Sequence, residues 1–406
     1  NDQIDVREFP NLSATLRGGN GDDTIRVAPG DHDLDAIRGA LTVQGGDNTI
    51  VTQDDDPCSN LAGRPGDKLF IDDRSNAEND DYSVTRDSFG RTGSNDLSYS
   101  GIECVSLSTG AGDSTFDVES TAVLTKIVAG GGSDRFNIAT AEQSLASLAG
   151  DLVLDGGRFA ANDGTNTLIL NDQLNVFAKT YTITDSTIAR RLGSVDLEYN
   201  AIHNITLNAG GNHDIFNIDS TPSGTPITVN AGDGRDTFNV LAPPAAPLAL
   251  HGDAPDESPG DTLTVTGDGG EGVYEPGHAS GSGTVTVGGQ TIEFTGLEPV
   301  TVSQFSEFTV NFPECRARVT LESPTPGVDR VSGTIDGEPF ESLTLVHVPD
   351  LTLNPGDCSD RFDMRDTVFT DAPSGPLSHI RIDTGAGDDL FGVTWPDLPA
   401  GARMRQ

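Results

Sequence analysis

The chain has 406 residues, with 63 Asp and Glu against 24 Lys and Arg, and a formal net charge of −39. A charge this negative repels a phosphate backbone, and no ten-residue block supplies the concentrated basic patch that a nucleic-acid binder needs. No apolar run approaches the roughly 20 residues that span a bilayer, and residues 1–10 lack the layout of an export signal. We therefore expect neither a nucleic-acid partner nor a membrane span.

The apolar residues occur mostly as short alternating pieces of Val, Ile, Leu and Phe. The 48 glycines and 23 prolines are spread through the chain, and many of them lie between these pieces. Alternation with a period of two places side chains on opposite faces of a strand, and glycine between such pieces marks turns. The composition therefore predicts an all-β fold.

One pattern recurs along the chain: alternating apolar residues, a turn of Gly, Asn and Asp, then an Asp two positions before an apolar or aromatic residue. The copies lie at 15–27, 106–118, 126–138, 206–218, 228–240, 352–364 and 381–393. Each copy predicts a strand, a tight turn in which glycine permits positive φ, and a second strand.

The spacing of the copies distinguishes isolated hairpins from stacked coils. Leu107 to Ala129 and Leu207 to Val229 are each 22 residues apart, which is about one coil of a parallel β-helix and leaves no room for a crossover helix. The prediction is a right-handed parallel β-helix, a β-solenoid with Gly/Asp-rich corners, whose hand follows the general preference for right-handed crossovers. A helix is expected only at 141–150.

A longer period of 99–100 residues lies over the short one. Residues 66–121 realign with 164–221, so that Tyr82 matches Tyr181 and Phe116 matches Phe216. The predicted organisation is one continuous solenoid with N-terminal coils, two full repeat units, a degenerate third unit without its glycine turn, and a fourth unit with the C-terminal end. The corresponding ranges are 1–65, 66–162, 163–259, 260–314 and 315–406.

The turn GGNGDDTIR at 18–26 resembles the calcium-binding nonapeptide of repeats-in-toxin proteins. The larger units, in which YSGIE or FTGLEPVTV leads into the repeat, are similar to tandem modules of very large bacterial surface and secreted proteins. The resemblance implies an extracellular, repetitive, adhesive or structural role without catalytic residues. Genuine nonapeptide arrays are uninterrupted, whereas here one turn occurs per coil or less, so the calcium ladder does not carry over unchanged.

The recurring aspartates are the candidate metal ligands. If the coils stack in register, their carboxylates lie about 4.8 Å apart along one corner and repel each other. Calcium bound by 6–8 oxygens would neutralise them and is the expected partner; alternatively, each Asp accepts hydrogen bonds from turn amides. The candidate ligands are Asp23, Asp113, Asp134, Asp214, Asp233, Asp236, Asp360 and Asp389.

Four cysteines, Cys58, Cys104, Cys315 and Cys358, are compatible with two disulfides in an oxidising compartment. We favour the local pairs Cys58 with Cys104 and Cys315 with Cys358. Other pairings, and four free thiols, remain open.

The first turn copy begins within about fifteen residues of Asn1 and the last ends at Val393, so neither end has room for a cap on the open strands. We therefore expect either a piece of a longer array or ends that dock head to tail. The predicted function is an extracellular structural or adhesive solenoid, a subunit or segment of a surface filament or matrix, with the cell surface or glycans as further partners.

The alternative function is a carbohydrate-active β-helix that binds or cleaves glycans. A lyase needs a basic residue beside its substrate carboxylate, and a hydrolase needs paired acids at a set separation. Basic residues are scarce and form no local cluster in the sequence, and acid pairs arise by chance among 63 acids. We therefore do not expect an enzyme.

Overall fold

The computed structural model describes residues 1–46, 66–157, 164–190, 196–253, 260–312, 316–325, 327–365 and 377–394. In these ranges the fold is all-β, and the only helical elements are two single 3-10 turns, Leu34–Ala36 and Leu145–Ser147. The chain divides into two compact units, 1–210 and 211–406.

The strands of the first unit are short and mostly follow one another through tight corners. They are β1 Gln3–Val6, β2 Ser13–Arg17, β3 Thr24–Val27, β4 Ala40–Gln44, β5 Lys68–Asp73, β6 Asp81–Val84, β7 Ser88–Arg91, β8 Leu97–Ser100, β9 Cys104–Thr109, β10 Thr115–Val118, β11 Leu124–Val128, β12 Arg135–Ile138, β13 Leu152–Asp155, β14 Thr167–Asn171, β15 Thr180–Ile183, β16 Thr187–Arg190, β17 Asp196–Asn200 and β18 Asn204–Asn208.

These strands form two mostly parallel sheets, and the chain passes from one sheet to the other at each Gly/Asp corner. One sheet stacks β1, β3, β5, β9, β11, β13 and β17 in parallel. The other contains the parallel pairs of β2 with β4, β4 with β8, and β6 with β10, followed by β12, β14 and β18. The two strands of a turn copy, such as β11 and β12, thus lie in different sheets, which confirms stacked coils and excludes isolated hairpins at these turns.

Two antiparallel meanders interrupt the parallel stacking of this unit. Strands β6, β7 and β8 form one in the second sheet, and β15, β16 and β17 form the other in the first sheet. The last strand of each meander pairs in parallel with a strand of the preceding coil, β8 with β4 and β17 with β13, so all three strands of a meander lie in one sheet. The two meanders are the matched Tyr82 and Tyr181 segments, and they lie in opposite sheets.

The second unit has the same plan. Its strands are β19 Ile215–Ile218, β20 Ile227–Asn230, β21 Thr237–Val240, β22 Leu248–His251, β23 Asp261–Thr266, β24 Glu271–Pro276, β25 Gly283–Val287, β26 Gln290–Thr295, β27 Leu297–Ser303, β28 Glu307–Asn311, β29 Ala317–Thr325, β30 Val328–Ile335, β31 Glu338–Pro339, β32 Leu343–Val346, β33 Asp350–Asn354, β34 Arg361–Arg365, β35 His379–Ile382 and β36 Leu390–Thr394.

Within this unit, β19, β21, β23, β27 and β32 stack in parallel in one sheet, and β29 carries the same sheet on to β34 and β36. The other sheet runs from β20 through β22 to β26, and from β24 through β28 and β33 to β35. Antiparallel meanders again connect the parallel stacks. Strand β25 lies between β24 and β26 in one sheet, and β30 lies between β29 and β32 in the other.

The core lies between the two sheets of each unit, because every second side chain of a strand points inward. Inward residues of successive coils stack: the rings of Tyr82, Phe116 and Phe136 lie with centroids 5.1 and 5.0 Å apart, and those of Phe216 and Phe238 are 4.8 Å apart. All five side chains are at most 2% exposed. Such stacked aromatic pairs add to the hydrophobic stabilisation that burial provides.

The helix predicted at 141–150 is wrong. Leu145 and Leu148 are both buried, but within this segment only Leu145–Ser147 is helical, as a single 3-10 turn. The backbone N–H of Leu145 donates to the carboxylate of Asp172, 2.8 Å away, and the chain returns to a strand at Leu152. Within the described ranges, no helix has the length and apolar character needed to cross a bilayer.

Candidate functional site

The predicted aspartates lie at the corners, directly before strands. Asp23 precedes β3, Asp134 precedes β12 and Asp236 precedes β21, and each of the three is at most 2% exposed. Asp214 and Asp360 are also buried, Asp389 is half-buried, and Asp113 and Asp233 are exposed. Because the strands that follow pair in parallel and in register, equivalent corner positions of successive coils face each other.

Four of the buried corner carboxylates, those of Asp23, Asp134, Asp236 and Asp360, accept a hydrogen bond from the backbone of the preceding coil. The N–H groups of Asp2, Ser114 and Asp214 donate to Oδ1 of Asp23, Asp134 and Asp236, at 2.6, 3.0 and 2.6 Å respectively. In the last coils, the N–H of Asp360 donates to Oδ1 of Asp389 at 3.0 Å. The donors therefore belong to the neighbouring coil and not to the turn of the Asp itself.

The residue before the corner position returns the interaction in the opposite direction. The N–H of Ser133 donates to Oδ1 of Asp113 at 2.6 Å, and the N–H of Arg235 donates to Nδ1 of His213 at 2.8 Å. Adjacent coils thus exchange two hydrogen bonds between side chain and backbone at one corner. We call a column of corner residues that is linked in this way through successive coils a corner ladder.

The described residues contain four corner ladders, two in each unit. Their successive members are Asp2, Asp23, Asp67 and Glu103; Ser114, Asp134, Asn166 and His203; Asp214, Asp236 and Asp261; and Ala317, Asp360 and Asp389. The structure therefore brings together Asp214 with Asp236 and Asp360 with Asp389, whereas Asp23 and Asp134 belong to different ladders.

Sequence reasoning missed several ladder members, including Asp67, Asn166 and Asp261. They do not follow a complete glycine turn, but each precedes the same alternation of apolar residues as Asp23 and Asp134. A search for Asp or Asn two residues before the first apolar residue of such an alternation, without the turn requirement, would have found them.

The second carboxylate oxygen of the ladder acids is the unusual feature of the site. Oδ2 of Asp23, Asp134, Asp236, Asp261 and Asp360 is buried and has no hydrogen-bond partner among the described residues. Burial raises the pKa of Asp134 to about 7, Asp236 to about 8 and Asp261 to about 6, with a smaller contribution from neighbouring carboxylates. Burial also raises the pKa of Asp360. Asp236 therefore favours the protonated form at neutral pH and Asp134 is about half protonated there, whereas Asp261 is mostly protonated only below about pH 6.

Asn166 shows which groups surround the terminal side-chain atom that does not accept the backbone N–H, the position that Oδ2 holds in a ladder Asp. Its Oδ1 accepts the N–H of Asp134 at 2.9 Å, as a ladder Asp would. Its Nδ2 donates to the carbonyl oxygens of Gly156 and Ala201, at 2.8 and 3.0 Å. The environment at this corner thus suits a donor at the second position, which a protonated carboxyl group supplies and a carboxylate does not.

A second set of buried polar groups lies at the meanders and was not predicted. Asp73 is fully buried and accepts hydrogen bonds from Tyr82 Oη at 2.7 Å, Arg91 Nη1 at 3.0 Å and the N–H of Leu34 at 2.8 Å. Arg91 also contacts Asp35. We call Asp73, Tyr82 and Arg91 the first meander cluster.

The same cluster recurs at the second meander. Asp172 accepts hydrogen bonds from Tyr181 Oη at 2.5 Å, Arg190 Nη1 at 3.1 Å and the N–H of Leu145. Each component is 99 positions beyond its counterpart, and the intervals from Asp to Tyr and from Tyr to Arg are nine residues in both copies. This spacing was the signal in the sequence, and it lay inside the realigned units.

Among the residues that the structure describes, no three His, Cys, Asp or Glu side chains form a group that could hold a metal ion. Cys104 and Cys358 are each disulfide-bonded, so these two are not free thiols. Cys58 and Cys315 lie outside the described residues, and the predicted pairs stay predictions.

The described residues thus form two kinds of buried acidic site: the corner ladders, which link successive coils, and the meander clusters, in which an Asp is paired with Arg and Tyr. No protein-family model matches the chain, and no curated protein matches it.

Proposed function

We propose that the chain is an extracellular structural or adhesive solenoid, a subunit or segment of a surface filament or matrix. The observation that carries the proposal is the reciprocal hydrogen bonding of the corner ladders. The most regularly repeated polar residues of the chain connect one coil to the next, which is what a repetitive scaffold requires.

The disulfide-bonded state of Cys104 and Cys358 supports an extracellular location. Disulfides persist in oxidising compartments and are rare where glutathione keeps thiols reduced.

Self-association through sheet edges is part of the proposal. Among the described strands, β1 pairs with β3 and β2 pairs with β4, and no described strand pairs with the other edge of β1 or β2 in the given sequence. A strand of another copy in the same register would extend the sheet. Analytical ultracentrifugation and negative-stain imaging over a range of concentrations test this step. We expect end-on oligomers that grow with concentration, whereas a monomer at every concentration would contradict it.

Calcium is the competing proposal for the ladder acids. The atoms that would hold it are the unpartnered Oδ2 atoms of Asp23, Asp134, Asp236 and Asp360. Each of these corners offers one such oxygen, and calcium takes six to eight, so turn carbonyls or water would have to complete the set. Thermal unfolding with and without a chelator separates the alternatives: bound calcium requires a lower midpoint with chelator, and protonated acids require an unchanged one.

A further inference from the structure

A groove with a cavity volume of about 370 Å³ lies on the outer face of the first sheet in unit 1–210. Its floor is a row of side chains from four successive coils, Arg26, Phe70, Ser106 and Lys126, which are register partners in β3, β5, β9 and β11. At about 4.8 Å per strand, the row extends about 14 Å. The volume is within the range of ligand sites.

The groove concentrates positive charge in a very acidic chain. Arg26, Arg74 and Lys126 line it with a single acid, Asp72, although acids outnumber bases by 63 to 24 in the whole chain. The residues are far apart in sequence, so no local cluster was visible there.

The acid in the groove is already paired. Asp72 accepts hydrogen bonds from Arg74 Nε at 2.8 Å and Nη2 at 2.7 Å, and Nδ1 of His32 lies 2.6 Å from its Oδ2. Burial works to raise the pKa of Asp72, but the hydrogen bonds from Arg74 and His32 outweigh it and hold the pKa below its ordinary value. Asp72 is therefore a fixed anion that orients Arg74.

Lys126 and two serines of the groove, Ser106 and Ser108, are available to a ligand. In the described part of the chain, the Lys126 ammonium has no ion pair or hydrogen bond, and neither the Ser106 nor the Ser108 hydroxyl has a hydrogen bond. The Arg26 guanidinium lies 5.7 Å from the ring centroid of Phe70 and 3.8 Å from Asp5. The groove thus offers a free cation at Lys126, the hydroxyls of Ser106 and Ser108, and the Phe70 ring with Arg26 beside it.

We propose that this groove binds an acidic polysaccharide that carries carboxylates on its sugar rings. Lys126 and Arg26 meet the carboxylates, Ser106 and Ser108 hydrogen-bond ring hydroxyls, and the C–H face of a sugar packs on Phe70. A polyuronate has one charge per ring, far fewer than the one per 1.7 Å of duplex DNA, so the net charge of −39 opposes it less. The inference rests on the adhesive part of the proposed function and names its ligand.

Isothermal titration of the full chain with a tetramer of galacturonic acid, at low salt, tests the inference. We expect binding that weakens with added salt, and no binding of a neutral glucose tetramer. Lys126→Gln and Arg26→Gln should each weaken the affinity by about tenfold or more. The matched control is Arg17→Gln, an exposed residue of β2 on the other sheet, which changes the net charge equally and should leave the affinity within about twofold.

Circular dichroism of each variant verifies folding, and the two groove variants give independent readouts. Absence of binding to the acidic tetramer, equal binding of the neutral one, or equal affinity for inorganic phosphate would overturn the proposal. So would a groove filled by a second copy, seen as self-association that Lys126→Gln abolishes without any binding of the tetramer. None of these results affects the sheet-edge association tested above, so the two proposals fail separately.

Discussion

The first meander cluster and the corner ladders bury the same residue type in two different ways. In the cluster, Asp73 faces Arg91 and Tyr82 Oη, so a guanidinium compensates its charge. In the ladder, Asp134 receives one backbone amide on Oδ1 and has no partner on Oδ2. A buried carboxyl group without a cation favours its neutral form, whereas one beside Arg keeps its charge.

The difference separates two structural roles. The cluster fixes a meander by tying three strands and the 3-10 turn at Leu34 to one ion. The ladder repeats along a corner, where stacked carboxylates 4.8 Å apart would repel each other if all were ionised. Protonation removes that repulsion and lets the acids remain in register.

The largest expected effect comes from removing the cation of a cluster. Arg91→Met leaves Asp73 buried beside Asp35 and Asp80 without compensation, and we expect the free energy of unfolding to fall by about 3–5 kcal/mol. Urea unfolding with the disulfides intact measures it. The matched variant is Arg190→Met. Among the described residues Arg190 contacts a single acid, Asp172, so we expect its removal to lower the free energy of unfolding by about 3 kcal/mol, the lower end of that range. A negligible loss in both variants would contradict the charged cluster.

A smaller effect should follow from removing the phenol hydroxyls. Tyr82→Phe and Tyr181→Phe each delete one hydrogen bond to a buried carboxylate, which costs about 1.5–3 kcal/mol. Tyr274→Phe is the control, since its hydroxyl donates to the neutral backbone carbonyl of Glu341, and about 1 kcal/mol is expected. Equal losses in all three variants, measured by urea unfolding, would remove the distinction between charged and neutral acceptors.

The pH dependence sharpens the comparison further. The folded-state pKa values of about 7 for Asp134 and about 8 for Asp236 exceed the ordinary value of 3.8, so the folded chain binds these protons more tightly than the unfolded chain. Their stabilising contribution is complete below about pH 4 and is lost as the pH rises through 7 and 8. We expect the thermal midpoint to fall from pH 5 to pH 8. The double variant Asp134→Asn with Asp236→Asn should flatten this dependence, and an unchanged slope would refute the assignment.

The coil plan could be predicted from the sequence because its signals are local. Period-two apolar residues give the strands, and the turns at Gly130 and Gly132, both with φ of 103°, require the conformation that glycine permits. The corner aspartates were also located, because they follow these turns.

The meanders and the groove could not be predicted in the same way. A strand such as β25 has the same alternation as a coil strand, and only its partners make it part of a meander. The row from Arg26 to Lys126 depends on register across four coils, which no local pattern specifies. The predicted unit boundaries and the calcium ligands stay predictions.

The most direct test of the ladder is the thermal midpoint of Asp236→Asn against the unmodified chain at pH 8, with and without chelator. Asparagine keeps an oxygen for the N–H of Asp214 and adds the donor that Asn166 uses at the equivalent position. The predicted result is a midpoint equal to or above that of the unmodified chain, with neither affected by chelator. A midpoint clearly lower for the variant, together with loss of the unmodified chain's stability in chelator, would contradict the ladder of neutral acids and identify a calcium site instead.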